Sequence, residues 1–385
     1  MTYLAQRVRN FGTTIFFEMT TLANHHQAVN LGQGFPDFPG PDFLKGAAIR
    51  AIQDDINQYA PGSGRPSLRE AIAQKMERHY GLAVNPATEI TVTSGATEAI
   101  FATIMGLVNP GDEVILFEPY YDSYLPSVQM AGGVPRFYTL RPPDWAIDRD
   151  ELAALFSDKT KLIVVNTPHN PTGKVYEEAE LRLIAELCQA HDVIAVVDEV
   201  YEYIIFDGLQ HVSLAKLPGM AGRTVTISSA GKTFSMTGWK IGWAVAPAEL
   251  NQAVFRVHQF LTYSAAAPLQ EGVVTALQIA DDYYAELAGM YQANRDFLAS
   301  ALIEAGLKPI IPQGTYFIMV DISESNFPDD VAFCRYLTTE IGVAAIPPSA
   351  FYFNPADGAK LARFAFCKTR PTLEEAARRL QKLKR

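Results

Sequence analysis

From Ser67 onward, short apolar runs alternate with segments in which apolar residues recur every three or four positions. SLREAIAQKMERHY has helical spacing, EITVTS is a short β-rich run, and ATEAIFATIMGLV is helical again. EVILFE and KLIVVNT read as strands, LRLIAELCQA as a helix, and VIAVVD and TVTISS as two further strands. Strands separated by amphipathic helices predict an α/β fold, a mostly parallel sheet with helices on both faces. The near-continuous apolarity of LIVVN and VIAVV predicts burial on both sides. After about Gln270 the pattern changes. GVVTALQIADDYYAELAGMYQANRDFLASALIEAG reads as one long helix, or as two with a break near Asp281 and Asp282. The strands GTYFIMVDI and ARFAFCK follow, with a helix between them and a basic helix at the C-terminus, as in a smaller α+β domain. The first forty residues are irregular and rich in Gly and Pro (NLGQGFPDFPGP), and are expected to pack across a cleft. The expected division is an arm over 1–40 packing with the small domain, a large domain over 41–275 and a small domain over 276–385.

Composition narrows the partners. A net charge of −10 argues against nucleic acid or an anionic membrane. Cys188, Cys334 and Cys367 make neither a metal-ligand spacing nor a CxxC pair, so buried free thiols are expected, which fits a reducing cytosol. The start, MTYLAQRVRNFGTTIF, lacks the apolar core of a signal peptide, and no apolar run approaches the ~20 residues of a membrane span. A soluble, cytoplasmic protein is expected. No GxGxxG, Walker loop or zinc pattern is present, so dinucleotide, nucleotide and metal chemistry have little support.

In parallel sheets of this kind, ligands bind beyond the carboxyl ends of the strands. Polar residues of chemical interest sit there: Ser94 to Thr97, Asn166 to Gly173, Asp198, and Ser229 to Lys232. The most informative stretch is SSAGKTFSMTGWK, Ser228 to Lys240, with Lys240 expected two helical turns beyond Lys232. An apolar strand leads into it, so Lys232 should emerge from a buried edge into a cleft, where desolvation favours its neutral form. A neutral amine condenses with an aldehyde, which is how a lysine holds pyridoxal phosphate. Asp198 ends a buried strand and suits the ring nitrogen of that cofactor, though a carboxylate there could simply cap a helix. Tyr201 and Asn170 suit its ring oxygen. NTPHNPTG could be only a turn, and His169 reads as a bystander. Backbone amides at Gly95, Ala96 and Thr97 start a helix and form an anion site. Ser229 and Lys240 would complete a phosphate cup. Tyr121, in PYYDSY, could stack on the ring or belong to a core. Arg363 alternates with apolar residues in ARFAF, so it needs a partner: a substrate carboxylate, or a structural ion pair.

With Asn170, Asp198, Tyr201, Ser229, Lys232, Lys240 and Arg363 in this order, the chain resembles the class I/II aminotransferases of fold type I over essentially its whole length. The resemblance implies pyridoxal 5'-phosphate as cofactor, Lys232 as the lysine that holds it covalently and shuttles the proton, and Asp198 at the pyridine nitrogen. It implies Asn170 and Tyr201 at the ring oxygen, Ala96, Thr97, Ser229 and Lys240 at the phosphate, and Tyr121 stacked on the ring. Arg363, Asn170 and the backbone of Gly34 would take the substrate carboxylate, with Phe16 in the pocket wall. Tyr59, in NQYAPGSGRPSLRE, matches a tyrosine that reaches the partner subunit's phosphate, implying a homodimer with shared active sites.

NLGQGFPDFPGPDF, EPYYDSY and TGWKIGW resemble the kynurenine/glutamine, methionine and succinyldiaminopimelate aminotransferase subgroup. Two departures bear on substrate. No arginine lies between Val257 and Glu271, which weakens a dicarboxylate reading. Ala265, Ala266 and Ala267 stand where kynurenine-type enzymes carry bulky residues, so a roomier pocket is expected. The expected reaction moves an amino group from an L-amino acid to a 2-oxo acid such as 2-oxoglutarate. Two alternatives stay open: a cysteine-conjugate carbon–sulfur β-lyase, and a non-catalytic cofactor-binding sensor domain. The sensor would need a DNA-binding segment ahead of the arm.

Overall fold

The structure is a computed structural model that describes residues 3–384. Its strands are β1 (Val29–Asn30), β2 (Ile90–Thr93), β3 (Glu113–Glu118), β4 (Val134–Thr139), β5 (Thr160–Asn166) and β6 (Ile194–Asp198), followed by β7 (Thr224–Ser229), β8 (Gly242–Val245), β9 (Lys308–Ile310), β10 (Phe317–Asp321), β11 (Val343–Ala344) and β12 (Leu361–Ala365). Seven of them form one sheet in the order β2-β8-β7-β6-β5-β3-β4. The run from β4 to β7 is parallel, and β8 lies antiparallel to both of its neighbours.

Strand alternation accounts for burial on both faces. Ile163 and Val165 of β5 enter one core with Ile115, Phe117, Ala195 and Val197. Leu162 and Val164 enter the opposite core with Val114, Leu116, Val196 and Val225. Side chains of successive strand residues point to opposite faces, so only a continuous apolar run can fill both. The covering helix Glu178–Ala190 shows the same logic at helical period. It opens with a capping box between Glu177 and Glu180, and buries Leu181, Ile184, Ala185, Leu187 and Cys188. Truncating such a residue, as in Leu181→Ala, costs about 2–5 kcal/mol.

Beyond residue 266 the long helical pattern is two helices, Ala267–Leu277 and Asp282–Glu304, parted just before Asp282. β9, β10 and β12 form an antiparallel three-stranded sheet. β1 pairs in parallel with β11, and Met19 and Leu31 share a core with Ile318, Val320 and Phe364. Thus the N-terminal segment and the C-terminal sheet are built into one another. The three cysteines are buried and free. Among the described residues no helix is long and apolar enough to cross a membrane.

Candidate active site

A cavity of about 280 Å³ opens at the carboxyl ends of β5, β6 and β7, and the residues following β2 complete its wall. One end of it is cationic. Gly95, at φ +82°, turns the chain from β2 into the helix Ala96–Leu107, and no side chain caps that helix. A Cβ on Gly95 would lie 3.2 Å from both Cε and Nζ of Lys240, so the glycine lets this lysine fold against the helix start. The expectation of three free amides is corrected: the Gly95 amide donates to the Thr93 carbonyl at 2.8 Å, which leaves those of Ala96 and Thr97. Ser229 caps the short helix Ala230–Thr233 by position only, with its hydroxyl unbonded to that helix and lining the cavity. Lys240 does not continue a helix from Lys232. A 3-10 turn over Thr237–Trp239 intervenes, and Lys240 closes it with left-handed backbone, φ +54°.

At the cavity floor, Asp198 accepts a 2.7 Å hydrogen bond from the Tyr124 hydroxyl and a weaker one from the Val200 amide. Burial raises its carboxyl to about 6, although those bonds and the Lys232 charge oppose the rise. Lys232 lies with its Nζ 5.7 Å from the Tyr201 ring centre and 5.6 Å from that of Tyr316. Burial brings its amine down to about 8, with Asp198 pulling partly the other way. Burial pushes the Tyr201 phenol far above its ordinary value and that of Tyr121 to about 12. Tyr121 packs edge-on against Tyr124 at 5.6 Å.

Arg363 is 1% exposed, and no carboxylate lies within ion-pair distance of it among the described residues. Its Nη1 donates to Asn170 Oδ1 at 3.1 Å and its Nη2 to the Gly32 carbonyl at 3.0 Å, while its buried Nε has no partner. Aromatic rings wrap the guanidinium, Phe317 at 4.1 Å, Phe16 at 5.1 Å and Phe351 at 5.3 Å. Burial lowers its pKa to about 10. Asn170 is held by its own amide, which donates to Asn166 Oδ1 at 2.7 Å. Gly34 must be glycine here, because a Cβ would come within 2.5 Å of the Phe317 ring; its carbonyl accepts from Tyr316 at 2.6 Å.

The model of the family described as aminotransferase class I and II matches residues 26–380. The chain belongs to this family. A kynurenine–oxoglutarate transaminase of Dictyostelium discoideum is 44% identical, covering 100% of this chain and 98% of that protein. The methionine aminotransferase of Escherichia coli K12 is 45% identical over 98% of this chain and 97% of its own. The solved structure of N-succinyldiaminopimelate aminotransferase from Mycobacterium tuberculosis superposes with a TM-score of 0.96 at 46% identity, covering 99% of this chain and all of that one. The protein is therefore a pyridoxal-phosphate-dependent aminotransferase of fold type I, acting on amino acids and 2-oxo acids. The donor set fits that cofactor: a cationic, amide-lined end for a phosphate, a buried carboxylate for a ring nitrogen, and an amine that readily loses its proton.

In this aminotransferase the cavity gathers Phe16, Gly34, Gly95, Ala96, Thr97, Tyr121, Asn170, Asp198, Tyr201, Ser229, Lys232, Lys240 and Arg363. Tyr59 is not among its lining residues; it is 85% exposed and packs edge-on against Tyr263. Ala265, Ala266 and Ala267 do not line it either. His169 is buried against the Thr172 hydroxyl, and burial lowers its pKa to about 3, which leaves it neutral. Tyr203 stacks on Tyr284 at 4.0 Å, in a core. Sequence reasoning passed over Tyr124, Tyr316 and Phe317. Tyr124 is the third tyrosine of PYYDSY and opens the helix Tyr124–Met130, while Tyr121 lies in the turn before it.

Proposed function

We propose that this aminotransferase takes methionine, glutamine, an aromatic amino acid or N-succinyldiaminopimelate as donor and 2-oxoglutarate as acceptor, with Arg363 as the anchor of the substrate α-carboxylate. The observation that carries this reading is the buried Arg363 guanidinium with an unpartnered Nε and, among the described residues, no carboxylate within ion-pair distance, Asp122 acting on it only from further off. A buried cation without a counter-ion is costly, and a planar bidentate carboxylate is its natural complement. Arg363 is the one arginine lining the cavity among the described residues, and its surroundings are aromatic. That favours methionine, glutamine or aromatic donors over aspartate. Succinyldiaminopimelate, for which one relative is named, belongs in the same test.

Pyridoxal phosphate, when bound, supplies an aldehyde that condenses with amines and a protonated ring that accepts electrons. Ala96, Thr97, Ser229 and Lys240 would hold its phosphate, Asp198 its ring nitrogen, Asn170 and Tyr201 its ring oxygen, and Tyr121 its face. Asp198, kept charged by Tyr124, would hold the proton on that nitrogen. Lys232 would take the proton from the substrate α-carbon and return it elsewhere, a role suited to an amine titrating near 8. Gly34 and Phe16 would close the carboxylate pocket.

Tyr59, Tyr263, Phe260 and Leu261 expose apolar surface, with Phe260 at 87%. They are proposed to meet a second copy, with Tyr59 entering its phosphate cup. The proposed division is an arm over 1–40, a cofactor-binding domain over 41–275 and a small domain over 276–385, in a cytoplasmic homodimer. A panel of amino donors with 2-oxoglutarate, read as glutamate formed, tests the reading. Turnover best with aspartate would overturn it. Pyruvate released from a cysteine conjugate without any acceptor would favour the lyase instead.

A further inference from the structure

Beside the cationic end of the cavity lies a buried charged pair that none of the roles above uses. Glu98 sits in the first turn of the helix Ala96–Leu107, and one of its oxygens lies 2.8 Å from His258 Nδ1. The other ring nitrogen, Nε2, lies 2.9 Å from the Gly62 carbonyl. A carboxylate and a carbonyl only accept, so both ring nitrogens donate and the ring is cationic. Thr262 donates to the same Glu98 oxygen at 2.8 Å, and the Ser94 amide donates to the second one. Burial alone would raise the Glu98 carboxyl, but the bonds from His258 and Ser94 bring it below its ordinary value.

A carboxylate in this turn is a puzzle for an anion site. It stabilises the helix start, yet its charge opposes any phosphate drawn to the same amides. We propose that His258 is an electrostatic positioning residue: its charge cancels that of Glu98, so that Glu98 can fix the Ser94 turn while the amides of Ala96 and Thr97 stay receptive to a phosphate dianion. The inference rests on the proposed placement of the cofactor phosphate at Ala96, Thr97, Ser229 and Lys240. It makes a prediction about sign that a packing role does not. Removing the histidine charge weakens phosphate binding, and removing the carboxylate as well restores it.

The test uses the full chain as wild type, His258→Gln, Glu98→Gln and the double variant. Cofactor loss after dilution of the holoenzyme is followed by absorbance, and the stripped protein is then reloaded with pyridoxal phosphate or with pyridoxal, which has no phosphate. His258→Gln should raise the Kd for pyridoxal phosphate about tenfold and that for pyridoxal less than about twofold. Glu98→Gln should bind pyridoxal phosphate at least as tightly as wild type, and the double variant should return to within about threefold of it. Equal weakening for both ligands, a double variant no better than His258→Gln, or a tenfold loss in Glu98→Gln alone would each overturn the proposal. If His258→Gln does not fold, the other two variants decide. A wild type that fails to prefer the phosphorylated ligand would bring down the phosphate placement and this proposal with it. A preserved preference that His258→Gln leaves unaltered would overturn this proposal alone.

Discussion

Two clusters of buried charge lie on either side of β7, and they are built in opposite ways. Behind the strand, Lys75 and Glu202 pair at 2.6 Å with both side chains 1% exposed. Ser228 donates to the second Glu202 oxygen at 2.6 Å, and Tyr80 donates to the first. Burial alone would raise the Glu202 carboxyl, but the Lys75 charge together with the hydrogen bonds from Lys75, Ser228 and Tyr80 outweighs it, and the group sits below its ordinary value. In front of the strand, Lys232, Asp198 and Arg363 face a cavity, and each departs from its ordinary value in the direction burial dictates. A pair closed within the chain holds helix Pro66–Tyr80 to the sheet. A charge left open toward a cavity lacks a counter-ion of its own and gains one from what enters.

Replacing residues in each cluster separates the two designs. The largest loss is expected for Lys232→Ala, whose kcat with any donor should fall by about 10³–10⁴ while the melting curve stays near wild type. Arg363→Met should lower kcat/KM by about 10²–10³, because the substrate carboxylate loses its buried partner. Its thermal stability should be equal to or above wild type, since an unpaired buried cation is replaced by an apolar chain of similar length. Glu202→Gln should do the reverse. It leaves Lys75 buried and uncompensated, a loss of about 3–5 kcal/mol by denaturant unfolding, with kcat little changed below the transition. A stability loss in Arg363→Met as large as that in Glu202→Gln would erase the distinction.

The smallest effect is a shift in pH dependence. Tyr124→Phe removes the hydrogen bond that favours charged Asp198, worth about 1 kcal/mol, so its carboxyl should move further above about 6. The carboxylate is the working form and is lost as pH falls. The acid limb of the kcat profile should therefore move up by less than about one pH unit, with little change above pH 8. The stripped protein should reload with cofactor faster as pH rises through about 8, where Lys232 loses its proton, and level off above it. A rate that falls over that interval would contradict the assignment of the amine.

What the sequence disclosed follows the same divide. β5 and β6 are near-continuous apolar runs and β7 alternates Val and Ile with Thr and Ser, and their ends carry Asn166, Asp198 and Ser229, so both the strands and the chemistry at their tips were legible. β8 was not, because GWAV is four residues long and follows directly on a motif read for its lysine. β4 alternates exposed and half-buried positions at the sheet edge and contains a proline, which masks it. β1 and β11 are two residues each and pair across most of the chain, leaving no period to read. Arg363 was legible by its alternation in ARFAF, whereas the rings around it come from three distant segments, at Phe16, Phe317 and Phe351. Gly95 was chosen for its amide but serves by lacking a side chain against Lys240, a contact that only tertiary packing creates.

The most direct measurement is to reduce the cofactor-loaded protein with borohydride, digest it and locate the pyridoxyl group by mass spectrometry. It should be found on the peptide carrying Lys232, and Lys75 and Lys240 should be unmodified. Label on Lys75 or Lys240 with Lys232 free, or no label on a protein that is coloured by the cofactor, would contradict the reading of the open cluster as the active site.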